Sequence, residues 1–387
     1  MPTTELKNLL YHAALPLLSP SPRGQMTHTA TGQPIKHLRG YEKLLCRHHV
    51  LGATLLLEDG SRRATLHTSV EKPAHHASDD AIYRVASITK MATALVTLAC
   101  IADGLFTLDA PVRSLLPDTP HAAVLDGVTV RHLLSHTSGL ADTPAMDAAL
   151  REGRCYDDVL ADPAVRACRP GERLIYTNFG FGLLGCLLEN VTGTCLPELF
   201  HTRLFGPLGM RATLDASSLD ESRVMPISRV LPYKKGADVT ITRLARKPLT
   251  VADPQRHFGH TAGAMYTDAP SLAKLLKLVH HRGMHEGMQL IPADLMSEMT
   301  REQSATPTRR YGLGLVLLER PRLWPRRLLG HQGFAYGCVD GVFIEEDTGR
   351  LVVFLNGGAS EAREGRLGLV NRDVLHWALE EEMPSWT

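Results

Sequence analysis

No stretch of this chain approaches the ~20 consecutive apolar residues that a membrane-spanning helix needs, and neither sign of charge dominates it. Its 42 lysines and arginines face 41 aspartates and glutamates, a formal net charge of +1. Nothing electrostatic therefore draws it to nucleic acid or to an acidic membrane surface. The nearest thing to a basic cluster, Arg322 to Arg327, is short and interrupted and reads as a solvated loop. There is no C-x-x-C and no H-E-x-x-H. The seven cysteines, Cys46, Cys100, Cys155, Cys168, Cys186, Cys195 and Cys338, are an odd number set mostly in apolar runs. That is the pattern of buried free thiols in a reducing compartment. The adjacent histidines His48–His49, His75–His76 and His280–His281 are expected to diverge rather than converge on an ion, so neither a metal nor an organic cofactor is expected. The apolar text "LKNLLYHAALPLLSPSP" is weakened at its basic end by Glu5, broken by His12 and Pro16, and followed by no small-x-small cleavage site. It does not read as an export signal, and a cytoplasmic location is expected.

What is present is an ordinary globular composition, 44% hydrophobic and 21% charged over 387 residues, enough for one large domain or two. No internal repeat appears at solenoid spacing. Residues 1–35 read as a short helix and a Pro/Ser/Gly-bearing extension ahead of the folded body, and a helix is expected over 36–48. Two apolar runs around Asp59-Gly60 signal a hairpin, as does "GCVDGVFIEEDTGRLVVFLNGG" around Asp347-Thr348-Gly349. A helix over 361–380 closes the chain. Strands thus gather at both ends, while 105–255 is helix and loop text. The fold class is α/β (α+β): an antiparallel sheet built from 36–104 and 256–387, flanked by helices, with an inserted helical region over 105–255. The variable loops 141–168 and 215–258 are expected to shape a substrate pocket.

Chemistry enters at "YRVASITKMATALVTLACIADG", residues 83–104. Ile88, Met91, Leu95, Leu98 and Ala102 recur at helical spacing and Gly104 is a natural stop, so Ser87 stands on the first turn. It is either a helix cap or a nucleophile. Positions i and i+3 share a helix face, which lets Lys90 bring its amine to the Ser87 hydroxyl. The helix start also favours negative charge at that oxygen and leaves the Ser87 backbone N–H free for an oxyanion. The comparable Ser271-Leu272-Ala273-Lys274 is an internal control. There Leu272, Leu275, Leu276 and Val279 form the buried stripe, which turns Lys274 and Lys277 to the wet side, so Ser271 reads as structural.

Three more stretches bear on Ser87. "PGERLIYTNFGFGLLGCLLENVTG" sets Tyr176 and Asn178 in a loop before an apolar helix, "LLGHQGFAYG" sets His331, Gln332 and Gly333 before the C-terminal hairpin, and "VRHLLSHTSGL" spans 130–140. Taken together with Ser87-x-x-Lys90, these resemble the serine β-lactamase and penicillin-binding protein superfamily, in the branch of class C β-lactamases, DD-peptidases and related esterases. Segments such as "GLFTLDAPVRSLLPD" and "TRLFGPLGMRAT" extend the resemblance over about 36–380. It implies the β-lactamase/transpeptidase-like fold and a Ser87 acyl-enzyme. It also implies that Lys90 and Tyr176 share the proton leaving Ser87, that Asn178 bonds the substrate's acyl amide or carbonyl, and that an oxyanion lies between the N–H groups of Ser87 and Phe334, the latter following Gly333 on an edge strand. Ser135, His136, Thr137 and Ser138 read as a polar turn supporting the site.

An ordinary lysine is protonated at neutral pH. Lys90 must therefore be neutralised by burial, or else act as a cation that lowers the pKa of Tyr176. The class C β-lactamase pattern has Lys-Thr-Gly where this chain has His331-Gln332-Gly333, and a histidine is cationic only below its pKa, near 6.5 if unperturbed. That departure argues against efficient β-lactam hydrolysis and leaves His331 as a hydrogen-bond donor to the Tyr176 region or a recognition site for a carboxylate. The expected activity is serine hydrolysis of a small-molecule ester or amide. The alternatives are a DD-peptidase or β-lactamase, an acyltransferase, or a catalytically silent binding protein.

Overall fold

The long apolar runs around the two expected turns become strands whose alternate side chains serve two different cores. The structure, a computed structural model, describes residues 2–35, 37–231, 233–235, 248–319, 324 and 326–379. Half of the Arg322–Arg327 stretch and part of the 215–258 loop lie outside the described residues.

Nine strands form one antiparallel sheet: β1 (Met26–Gly32), β2 (Ala53–Asp59), β3 (Arg62–Val70), β4 (Ser304–Thr306), β5 (Arg309–Tyr311), β6 (Val316–Leu318), β7 (Leu328–Ala335), β8 (Cys338–Glu345) and β9 (Leu351–Asn356). Their order is β1-β3-β2-β9-β8-β7-β6-β5-β4. The β2–β9 pair, running from Leu351 opposite Glu58 to Asn356 opposite Ala53, joins the two ends of the chain. Along β9, Leu351, Val353 and Leu355 enter one core while Val352 and Phe354 enter the other, and β2 separates Leu56 from Leu55 and Leu57 in the same way. Side chains of period two with both faces covered are why these strands read as unbroken apolar runs.

The helix α1 (Pro2–Leu18) precedes β1, and one face of the sheet is covered by α2 (Leu38–Arg47), through Tyr41, Leu44 and Leu45, and by the C-terminal helix Leu369–Leu379, through Val374, Leu375 and Ala378. The other face meets α3 (Thr89–Ala102) and the helix Ala269–His280. Every residue of α3 from Thr89 to Cys100 is buried, as expected of a helix that is apolar all round.

Three expectations need correction. The body does not begin at residue 36, because Met26–Gly32 pairs with β3 from Met26–Val70 to Gly32–Ala64. The closing helix starts at Leu369 instead of 361, because Arg363–Glu364 and Leu367–Gly368 first form a small hairpin. His280 and His281 do not diverge, since their rings lie 5.2 Å apart.

The helix α4 (Asn178–Thr192) crosses the inserted region and is buried from Phe179 to Glu189. Its glycines let it press directly on the segment 258–262. A Cβ on Gly182 would fall 1.8 Å from the Phe258 carbonyl oxygen, a backbone atom that cannot swing aside. Gly182→Ala should therefore destabilise the protein by about 2 kcal/mol, overpacking outweighing the roughly 1 kcal/mol that alanine gains in a helix. Denaturant titration checks this, and a midpoint at or above the parent value would show that α4 and 258–262 are not in backbone contact.

Candidate active site

Ser87 lies on a 3-10 turn, Ala86–Ile88, that runs straight into α3. The preceding Ala86 has φ 45°, a left-handed conformation that costs a residue with a Cβ roughly 1–2 kcal/mol. The turn is held from outside: Thr89 Oγ1 donates to the Ala86 carbonyl at 2.6 Å, and Val85 N–H donates to Met265 O at 3.0 Å. The strand β7 passes close beside it. A Cβ on Gly333 would sit 2.3 Å from Val85 O and 3.3 Å from Ala86 Cβ, so glycine is what allows this approach. Ala335 and Cys338 close a two-residue hairpin turn, and β6 pairs with β7 only as far as Gly330. Hydrogen-bonded and non-bonded pairs alternate in an antiparallel ladder, which puts the Phe334 N–H on the open edge of β7, toward the Ser87 turn.

The Ser87 hydroxyl sits between two polar groups. Lys90 Nζ is 3.1 Å from Ser87 Oγ, and the Tyr176 hydroxyl donates to the same oxygen at 2.9 Å. Lys90 Nζ also donates to Asn178 Oδ1 at 2.9 Å and to the Ala262 carbonyl at 2.7 Å. The lysine side chain is wholly buried in α3. Loss of hydration pulls its amine down to about 7, against a smaller upward pull from Asp142 and with a further push down from the Arg366 charge. Burial drives Tyr176 the other way, up to about 12, despite its hydrogen bond to Ser87. The two options left open by the sequence thereby separate. Lys90 is the group that can take a proton near neutral pH, and Tyr176 remains a neutral donor.

His136, at φ 59°, stacks on Tyr176 with ring centroids 4.3 Å apart and accepts the Thr177 N–H on Nδ1 at 3.3 Å. Ser135 Oγ and Thr137 Oγ1 are 2.8 Å apart beside it, so this turn braces the loop that carries Tyr176. His331 is 98% buried, with Nδ1 bonded to the Gln332 carbonyl at 2.7 Å and, among the described residues, no hydrogen-bond partner on Nε2. Burial, reinforced by the nearby Lys90 charge, lowers it to about 3. It is therefore a neutral imidazole at physiological pH. The sequence left it as a titrating carboxylate site or a donor to the Tyr176 region; here it carries no charge at that pH, and its Nδ1 contact is to the Gln332 carbonyl. A cation does lie against Tyr176, the Arg366 guanidinium 4.7 Å over the ring.

The control serine stays apart. Ser271 Oγ accepts the Arg211 N–H at 2.9 Å and Asp268 caps its backbone N–H at 2.8 Å, while Lys274 Nζ turns to the Gly209 carbonyl at 2.6 Å. A cavity of about 140 Å³ next to the site is lined by Arg309, Tyr311, Gln332 and Arg366 among others. It is not formed by the loops 141–168 and 215–258.

Sequence reading missed Asp142. Its Oδ1 accepts Thr177 Oγ1 at 2.7 Å, Asn178 N at 2.8 Å and Phe179 N at 2.9 Å, and its Oδ2 accepts Asn178 Nδ2 at 2.8 Å. The only signal was an acidic residue in a loop of a chain in which α4 needs partners for its first N–H groups.

Residues 33–374 match the family model described as Beta-lactamase. The chain belongs to that family. Among its relatives, esterase EstB of Burkholderia gladioli is 28% identical over 342 residues, which cover 77% of this chain and 83% of EstB. Penicillin-binding protein 4 of Amycolatopsis lactamdurans is 30% identical over 45% of this chain and 47% of its own length. The D-alanyl-D-alanine-carboxypeptidase/endopeptidase AmpH of Escherichia coli K12 is 27% identical over 50% of this chain and 51% of its own length. The chain thus spans about half the length of these last two relatives. In fold, the D-amino acid amidase of Ochrobactrum anthropi SV3 matches 88% of this chain and 96% of its own with a TM-score of 0.69 at 21% identity. A D-stereospecific amidohydrolase from a Streptomyces species matches 89% and 98% with a TM-score of 0.65 at 24% identity.

The perturbed lysine fixes a pH signature. Lys90 works as a base only when neutral, so kcat/KM for an uncharged ester should rise through a single step near pH 7 and then level off. With Tyr176 raised to about 12 and His331 lowered to about 3, neither should add an inflection between pH 5 and 9. A step near 6.5 that disappears in His331→Gln would assign the limb to the imidazole and remove Lys90 as the base.

Proposed function

We propose that this member of the family is a serine hydrolase that cleaves an ester or amide of a small molecule through an acyl-enzyme on Ser87. The observation that carries the reading is the placement of Ser87 Oγ between a buried amine at 3.1 Å and a phenol at 2.9 Å. A serine hydroxyl becomes an effective nucleophile when an adjacent base takes its proton. As Ser87 Oγ attacks the carbonyl carbon, its proton passes to Lys90 Nζ. The negative charge that develops on the carbonyl oxygen falls between the Ser87 and Phe334 N–H groups. Collapse of the tetrahedral intermediate breaks the bond to the leaving alkoxide or amine, which takes a proton from the Lys90 ammonium, with Tyr176 O–H as a neutral donor beside it. A water molecule then repeats the sequence on the acyl-enzyme, with Lys90 again taking the proton.

The names of the relatives support this reaction class: an esterase, a carboxypeptidase/endopeptidase and amidases all cleave a bond to an acyl carbon. The neutral state of His331 favours an ester or amide over a β-lactam whose carboxylate needs a lysine at that position. We also propose that the enzyme works in the reducing interior of the cell, supported by seven cysteines that are all free thiols.

A fluorophosphonate should add one adduct per chain, mapped to Ser87 and absent from Ser271. Lys90→Ala and Tyr176→Phe should each slow that labelling by about 10²–10⁴-fold, and the double variant should be little slower than the slower single, since groups that move one proton are not additive. Intact mass and peptide mapping decide the point. Folded protein that stays unlabelled, or carries its adduct elsewhere, would refute the nucleophile. The same measurement with a chromogenic ester, a D-amino acid amide and penicillin identifies the substrate class, and rapid turnover of penicillin alone would replace the esterase reading with a β-lactamase one.

A further inference from the structure

Hydrogen bonds have direction, and at this site one residue can set it. A neutral amine has two N–H groups and one lone pair. If Lys90 spends both N–H groups on Asn178 Oδ1 and the Ala262 carbonyl, its lone pair is left for the Ser87 O–H, and Ser87 Oγ in turn accepts from Tyr176. The scheme depends on which end of the Asn178 amide faces Lys90. Nothing in asparagine's shape decides that, because its oxygen and nitrogen ends are nearly isosteric.

Resting on the reading of Ser87 as nucleophile and Lys90 as its base, we propose that Asp142 is a positioning residue that sets the direction of this chain. An ionised carboxylate only accepts hydrogen bonds. Facing Asp142 Oδ2 at 2.8 Å, Asn178 must present Nδ2, and so must present Oδ1 to Lys90. Donation then runs one way, from Tyr176 to Ser87 to Lys90 to Asn178 to Asp142. The second hydrogen on Asn178 Nδ2 is left to donate, which suits a substrate carbonyl and not a substrate N–H.

Asp142 also caps α4, accepting from Asn178 N and Phe179 N, and a purely structural role would rest on that. Substitution separates the two roles. In Asp142→Asn the new amide must turn its oxygen to the backbone N–H groups of Asn178 and Phe179, so its NH2 faces the Asn178 side chain. That amide then flips, and its Nδ2 points at Lys90 and occupies the lone pair that Ser87 needs. In Asp142→Ala the cap is lost, yet Asn178 is free to keep Oδ1 on Lys90. A cap predicts that alanine is the worse replacement. Control of direction predicts that asparagine is.

The surroundings of Lys90 fix the expected pH behaviour. It faces the rings of Tyr176 and Phe181 at 5.0 and 5.6 Å, the attractive charge of Asp142, the repulsive charge of Arg366, and the imidazoles of His136 and His331, both held neutral by burial and by Lys90 itself. Removing the Asp142 charge takes away that attraction, so in both single variants the rising limb should move to lower pH.

The test is the second-order rate of Ser87 labelling by an uncharged fluorophosphonate, read by intact mass across pH, with thermal midpoints measured in parallel. We expect labelling to fall about tenfold in Asp142→Ala and about a hundredfold in Asp142→Asn, while the thermal midpoint falls further in the alanine variant. The exchange Asp142→Asn with Asn178→Asp restores an acceptor-only group against Lys90. It should recover at least about tenfold over Asp142→Asn, with the limb moved to higher pH because the carboxylate now touches the amine. Labelled wild type with the asparagine variant as fast as or faster than the alanine variant would overturn this inference alone. If the alanine variant does not fold, failure of the exchange to recover labelling overturns it equally. Wild type that is never labelled at Ser87 overturns the nucleophile reading and this inference with it.

Discussion

An amine kept out of water is the constraint on which this site depends. Taking an ammonium group into a protein interior costs several kcal/mol even after the surroundings relax, and among the described residues no carboxylate touches Lys90 to offset that cost. Its amine meets neutral groups, the Ser87 hydroxyl, the side-chain oxygen of Asn178 and the carbonyl of Ala262. The cheaper state is therefore the unprotonated amine, which is the state a general base requires. Much of the surrounding architecture keeps it so. The helix that carries Lys90 is buried on every side, α4 seals one flank by pressing on 258–262, and the aromatic rings of Tyr176 and Phe181 close another.

The two halves of the site are made of different material. The proton-handling half consists of side chains with specific chemistry. The half that faces a developing negative charge in the proposed reaction is backbone, two N–H groups brought together because Gly333 has no Cβ and Ala86 accepts a left-handed φ. Side-chain chemistry leaves a trace in a sequence, whereas backbone geometry leaves only small residues.

That difference explains what could be read in advance. Ser87 and Lys90 are three residues apart on one helix, so local periodicity was enough to direct Lys90 inward and Lys274 outward. The hairpins at Asp59 and Asp347 were equally legible, because turn residues flanked by strand-formers are a local code. The parts that were not legible depend on distant segments meeting. The Ala262 carbonyl lies 172 residues from the lysine it holds, and Asp142 lies 36 residues from the asparagine it orients. Met26–Gly32 carries few apolar residues because it is an exposed edge strand, which left it looking like a linker. His331 was expected to titrate near neutrality because its type says so, whereas burial decides otherwise.

Joining β2 to β9 has a consequence for how the protein is made. On a ribosome, Ser87 and α3 emerge roughly 240 residues before the three strands that must close over them, since β7 to β9 span Leu328–Asn356. Until then β2 presents an apolar edge with no partner, the kind of surface that invites mispairing. Sheets closed by such distant segments also fold slowly, because the entropy of a long loop is lost before the contacts that reward it form. The nascent chain thus carries that open edge over most of its synthesis, and truncation of the C-terminal strands costs the whole sheet rather than trimming its rim.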